Sequence, residues 1–320
     1  MEGGRIAIHG ADFPIDRARL PEVRVGDLPA RVVFASSTRI DAVVPEGAGR
    51  IGAVSVRVEG ASSEAAFFEA AAPLATGLHQ VDNPVIDHDG NLYLTFSGAR
   101  GQHVPVSVFR VRPDGVRQTF ATGIVNPTSM ALGPDGQLYV SSRFEGAVYR
   151  IGADGAPKAF ATELGIACGL AFGEDGELFV GDRSGTVFKV GRTGRTETFA
   201  TLPPSVAAFH LAFAPDGALY VTGPTLSTYD AIYRITPDGA VGTVASAFGR
   251  PQGIAFDRTG ALLVVDALAG WSGLYRMPAG GGERELIVAA PALIGVALDQ
   301  RGALVVCSSD SVFRFGYQAS

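Results

Sequence analysis

His210, in "AAFHLAF", is one of five histidines; the ordinary imidazole pKa lies near neutrality, which makes it a candidate general base. Elsewhere the chain holds polar loops rich in guanidinium: "SGARGQHVP", "SSRFEG", "GDRSG", "GPTLSTYD" and "FGRPQG". They contribute Arg100, His103, Arg143, Asp182, Arg183, Tyr229, Asp230 and Arg250. A planar arginine fork meets a carboxylate or phosphate with two parallel hydrogen bonds. Four such arginines on one face of an acidic protein would suit an anionic small molecule or peptide. Two competing expectations stand beside this one. The arginines could instead pair with Asp182, Asp230 and Glu145 and merely brace the loops. His210 could be a hydrogen-bonded structural residue, and nothing in the sequence assigns it a partner.

The elements that carry these loops are set by a repeat. Six segments align on a turn glycine: "PVIDHDGNLYLT", "MALGPDGQLYVS", "LAFGEDGELFVG", "LAFAPDGALYVT", "IAFDRTGALLVV" and "VALDQRGALVVC". Their glycines are Gly90, Gly136, Gly176, Gly217, Gly260 and Gly302, spaced by 46, 40, 41, 43 and 42 residues. Apolar residues alternate on both sides of an Asp-Gly-like turn, the pattern of a β-hairpin. Five residues before the glycine stands Ala131, Ala171, Ala212, Ala255 or Ala297, with Val85 in the first unit. The next residue is large (Leu132, Phe172, Phe213, Phe256 or Leu298), so small is set to face large between neighbouring sheets. A second hairpin follows, as in "VYRIGADGAPKAFAT".

Four antiparallel strands per 40-odd residues make one propeller blade, which predicts an all-β chain with a six-bladed propeller over 67–320. The last unit lacks a fourth strand. A strand from about 67–76 is expected to supply it and close the ring. The Asp-Gly turns then lie on one face of the disc and the arginine-bearing loops on the other.

Residues 1–66 follow another pattern, with short strands at sandwich spacing. Net charge is −6, and 24 of the 26 basic residues are Arg without a basic run, which argues against nucleic-acid binding. No apolar run suits a membrane span. No signal-peptide pattern opens the chain, so as it stands it reads as cytoplasmic; an export signal upstream would make it secreted or periplasmic. Cys168 and Cys307 fall in opposite blades and are expected to be reduced and unbridged, Cys168 as a buried small hydrophobe or a nucleophile. Trp271 in "ALAGWSG" either flanks a ligand pocket or caps its blade.

The "PDGxLYV … VYRI … DG … FAT" pattern resembles NHL-repeat propellers and the gluconolactonase and regucalcin-like group. "GRIAIHGADF" through "GAVSVRVEG" resembles an immunoglobulin-like TIG (IPT) domain whose usual first strand is missing, which implies a trimmed chain and a domain able to meet a protein partner. The propeller resemblance implies a divalent cation (calcium, manganese or zinc) at the channel mouth, held from the starts of the innermost strands. The matching positions are Asp82, Thr128, Cys168, Phe209, Gln252 and Ile294. Asp82 and Gln252 are the ligand-type residues among them, with Asn83 or Asn126 as helpers. A metal-dependent lactonase or ester hydrolase, with His210 as acid/base, is therefore the alternative to a non-catalytic binder.

Overall fold

All six repeat glycines adopt the positive φ their turns require: Gly90 at 81°, Gly136 at 73°, Gly176 at 78°, Gly217 at 77°, Gly260 at 79° and Gly302 at 84°. The computed structural model describes residues 1–16, 19–48, 52–59, 66–267, 271–299 and 302–316. Blade two shows the unit: Pro127–Leu132, Leu138–Ser142, Ala147–Ile151 and Pro157–Ala161 pair antiparallel in that order. Five more four-stranded sheets repeat it. Their innermost strands neighbour one another in chain order, and that of blade six neighbours that of blade one, so the ring is closed.

Closure uses chain from both ends of the propeller. Blade six takes Leu293–Leu298, Leu304–Ser308 and Val312–Phe315 from the C-terminal side and Pro73–Ala75 from the N-terminal side. Val312 stands opposite Ala75 and Phe313 opposite Pro73. This strand is shorter than the stretch expected over 67–76, because Ala66–Ala70 pairs instead with Gly52–Val58.

Between blades the small-to-large pattern is realised as packing. Val85 shares a core cluster with Leu132, Ala131 with Phe172, Ala171 with Phe213, Ala212 with Phe256 and Ala255 with Leu298. Aromatic edges deepen these seams. Tyr139 meets Phe160 and Phe172 edge-on at 5.0 and 4.9 Å, and Phe179 meets Phe199 and Phe213 at 4.9 and 5.1 Å. The second hairpins pack more tightly still. A Cβ on Gly155 would lie 2.2 Å from the carbonyl oxygen of Phe120 in the preceding blade, and one on Gly194 would lie 2.2 Å from that of Phe160.

The N-terminal unit comprises β1 (Arg5–His9), β2 (Val23–Val25), β3 (Leu28–Ala35), β4 (Arg39–Val43), β5 (Gly52–Val58) and β6 (Ala66–Ala70), hydrogen-bonded in the order β1-β4-β3-β2-β5-β6. The ribbon folds at β3, whose first residues pair with β2 and whose later residues pair with β4. Ile6 and Ile8 of β1, Ile40 and Ala42 of β4, Val23 of β2 and Val56 of β5 thereby share one core, which makes the expected sandwich.

Trp271 joins the two units. The guanidinium groups of Arg5 and Arg39 lie 4.5 and 4.9 Å from its ring centroid. Both also bind Asp41, at 2.6 and 2.8 Å. Burial opposes the charge on Asp41, but the hydrogen bonds and charges of Arg39 and Arg5 prevail and hold its carboxyl below the usual range. Nearby, a Cβ on Gly4 would lie 2.2 Å from the carbonyl oxygen of Ala289 in blade five.

Candidate functional site

The residue expected to bind metal and the residue expected to move protons are brought into contact. His210 Nδ1 and Asp82 Oδ1 form a hydrogen bond, with the imidazole fully buried and Asp82 2% exposed. His210 opens the innermost strand of blade four, His210–Phe213, whereas Asp82 lies in the lead-in to blade one. Those blades are opposite in a six-membered ring, so this pair bridges the channel. The innermost strand of blade one is only Val85–Ile86, which frees the residues before it to lean across the opening.

Neighbouring groups hold that segment in place. Gln80 Nε2 donates to the carbonyls of Asp82 and Asn83 at 2.8 and 3.1 Å, while its Oε1 accepts from Thr95 N at 2.7 Å. Asn83 Nδ2 donates to Ile254 O of blade five at 3.0 Å, and its Oδ1 accepts from Val296 N of blade six at 3.0 Å. The approach is possible because Gly253 and Gly295 carry no side chain: a Cβ would stand 2.3 Å from Asn83 Oδ1 or 2.6 Å from Asp82 O.

These bonds engage several of the groups expected to hold a cation. Asp82 Oδ1 also accepts from Asn83 N at 2.7 Å. The Asn83 amide is spent between blades five and six, and Asn126 is spent on the blade one loop, accepting from Gly101 N at 2.7 Å and donating to Ser97 O at 2.6 Å. Half-buried Gln252 has no side-chain partner among the described residues. Among those residues no three His, Cys, Asp or Glu side chains come together as a possible metal cluster. A calcium-type ion takes six to eight oxygens, and the Asn83 and Asn126 side chains are committed to other partners.

Cys168 and Cys307 are free and buried. Burial first, then the charge of Asp82, pushes the Cys168 thiol up to about 12, with Arg143 and Arg183 opposing. It is a protonated small hydrophobe at neutral pH, not a nucleophile.

Around this plug the arginines are left without carboxylates. Among the described residues none of Arg100, Arg143, Arg183 and Arg250 has a carboxylate within ion-pair distance. Asp182 accepts from Ile166 N at 2.7 Å and from Ser184; Asp230 accepts from Thr225 N at 3.1 Å and Thr225 Oγ1 at 2.6 Å. The two aspartates brace loops by binding backbone, so the expected pairing with arginine does not form. Arg143 is half-buried, and burial lowers its pKa; the Cys168 thiol opposes this, while the charges of Arg183 and Arg100 add to it. Burial and then the charge of Arg143 likewise lower the pKa of His79, so this imidazole is neutral at physiological pH. His79 escaped sequence reasoning, although its place three residues before Asp82 in "HQVDNP" was the available signal. Tyr229, His103 and Arg250 lie exposed on the loops, and Arg250 is placed by its backbone N–H donating to Asp266 at 2.7 Å.

Residues 1–70 match the IPT/TIG domain family. A comparison with curated proteins gives no match. Solved structures share the fold at low identity. A putative gluconolactonase is 17% identical with a TM-score of 0.62, covering 76% of this chain and 90% of that one. A streptogramin B lyase is 14% identical with a TM-score of 0.58, covering 97% of each. An auxiliary nutrient binding protein from Bacteroides ovatus is 14% identical with a TM-score of 0.58, covering 99% of this chain and 95% of that one. The architecture is therefore a β-propeller behind a TIG-like domain, a scaffold that hosts both binders and enzymes.

Proposed function

We propose that this protein is a ligand-binding propeller that takes an anionic small molecule or peptide on the loop face, at the channel mouth. The observation that carries this reading is Arg143: a half-buried cation that feels the charges of Arg183 and Arg100 and has no carboxylate partner among the described residues. Gathering unpaired like charges costs free energy, and a bound anion would offset that cost. The nutrient binding protein, whose match spans both units, is consistent with a binder. The sandwich would then position the propeller or meet a partner protein. The test is a thermal-shift and calorimetric titration with carboxylates and phosphate. At least one anion should raise the Tm, and Arg143→Ala with Arg183→Ala should weaken its binding by tenfold or more. Failure of every anion, or undiminished binding by the double variant, would overturn the reading.

The Asp82–His210 pair favours a second reading, a lactone or ester hydrolase. With Asp82 ionised, the shared proton sits on Nδ1 and leaves Nε2 as the basic atom. Nε2 is buried and has no hydrogen-bond partner among the described residues. Lactones screened with and without calcium, manganese or zinc would test it. Hydrolysis that is lost in His210→Ala supports this reading, and hydrolysis that survives in that variant removes it.

A further inference from the structure

Blade three departs from a pairing that the other five blades keep. In each blade the third residue after the turn glycine stands opposite a basic residue of the next strand. The pairs are Tyr93 with Arg110, Tyr139 with Arg150, Tyr220 with Arg234, Leu263 with Arg276 and Val305 with Arg314. In blade three the pair is Phe179 with Lys189, one of only two lysines in the chain. Four of the arginines reach back to a turn carboxylate of their own blade, as Arg150 does to Asp135 at 3.1 Å and Arg234 to Asp216 at 2.8 Å. The Tyr139 hydroxyl also donates to Asp135, at 3.3 Å. Phe179 has no hydroxyl, and Lys189 has no planar fork. The ammonium pairs with Glu177 and lies 4.0 Å from Asp175.

A cavity of about 510 Å³ opens at this point, between blades three and four on the face of the Asp-Gly turns. Small-molecule sites span about 300–1,000 Å³. The rings of Phe179, Phe199, Phe213 and Phe256 line it, with Leu219 and Ile235. The seam is also wider here than elsewhere. A Cβ on Gly239 would lie 2.9 Å from Phe199 O in the preceding blade, against 2.2, 2.2 and 2.6 Å from the matching carbonyls at Gly155, Gly194 and Gly281. Exposed Glu174 and Asp175 line the same cavity, and Glu174 has no ion-pair partner among the described residues. The hydrogen bond to Glu177 raises the Lys189 pKa against desolvation, and the charges of Glu177, Asp175 and Glu197 add to it. Arg192 donates to Asp175 O at 2.6 Å, on the side of the turn that meets Pro134 of blade two.

We infer that this seam is a second binding site, which takes a hydrophobic ammonium: an aryl or alkyl body among the four phenyl rings, with its cation toward Glu174 and Asp175. Phenyl faces attract a cation as well as an apolar body. Glu174, Asp175, Glu177 and Glu197 outnumber Lys189 and Arg192, which leaves the entrance negative and selects against an anion. The site lies on the face opposite the arginine loops and does not depend on an anion binding there.

Isothermal titration with 4-phenylbutan-1-amine, 4-phenylbutan-1-ol and n-butylamine tests this. The phenyl amine should bind at least tenfold more tightly than the alcohol or butylamine. Phe179→Tyr with Lys189→Arg installs the pair that blades two and four already carry, so the fold tolerates it, and binding should weaken by tenfold or more. Glu174→Gln, at an exposed position, should narrow the preference over the alcohol at least threefold. An amine that does not bind, an alcohol or butylamine that binds as well, or undiminished binding by either variant would overturn the inference. So would a dimer, seen by sedimentation, that the Phe179→Tyr, Lys189→Arg variant dissolves, because a second copy of the chain would then occupy the seam.

Discussion

Asp82 and His210 show how a residue's role is set by what meets it across space. Each has a chemically suggestive side chain, yet together they close a buried bond between opposite blades. Asp82→Ala should cost about 1–3 kcal/mol by leaving a buried imidazole nitrogen unpaired, and Asp82→Asn should cost less because an amide oxygen can still accept; urea denaturation measures both. Equal losses would mean that the hydrogen bond contributes nothing. Asp257 sets a different limit. Burial raises its pKa, but the Thr259 hydroxyl, Arg276 and the backbone N–H groups of Ala261 and Thr259 outweigh that and bring it to about 2. An aspartate depressed on folding stabilises fully above its unfolded pKa of about 3.9, and that stabilisation is lost as pH falls toward 2. Asp257→Asn should therefore cost stability at pH 7 and progressively less on acidification from pH 5 to pH 2. A loss that stays constant with pH would exclude a charge effect.

At the scale of the hairpin, the repeat glycines separate two physical demands. Gly136 has a φ of 73° with open space around its missing Cβ, so Gly136→Ala pays backbone strain alone, about 1 kcal/mol. Gly155 has a φ of 78° and would also drive a Cβ into the Phe120 carbonyl. Gly155→Ala should lower the Tm clearly more than Gly136→Ala; equal shifts would show that the blade seam yields. The first demand was legible in the sequence, because a turn is local and Asp-Gly between alternating runs announces it. The second was not, since the carbonyl it protects belongs to the preceding blade. The blade seams themselves were legible through the Ala131 and Phe172 positions, because the repeat reports the packing of every junction at once.

Across the whole molecule, Trp271 holds the sandwich to blade five through Arg5 and Arg39. Trp271→Ala should weaken that docking by about 1–2 kcal/mol and split the calorimetric transition, with the sandwich melting first. A single unshifted transition would mean that the clasp is not what couples the units. The sequence alone determined the ring: hairpin alternation and turn glycines are local signals repeated six times, and the missing fourth strand of the last repeat was enough to foresee closure from about 67–76, of which Pro73–Ala75 does the pairing. It also led to the expectation that the arginine-bearing loops share one face. Only the tertiary structure decided which partners the site residues take. Asp82 lies 128 residues from His210, and no spacing rule links them. Asp182 and Asp230 were as available to arginine as to backbone on paper. In the fold, the N–H groups of tight loops reach those carboxylates first, and among the described residues no ion pair to Arg100, Arg143, Arg183 or Arg250 forms.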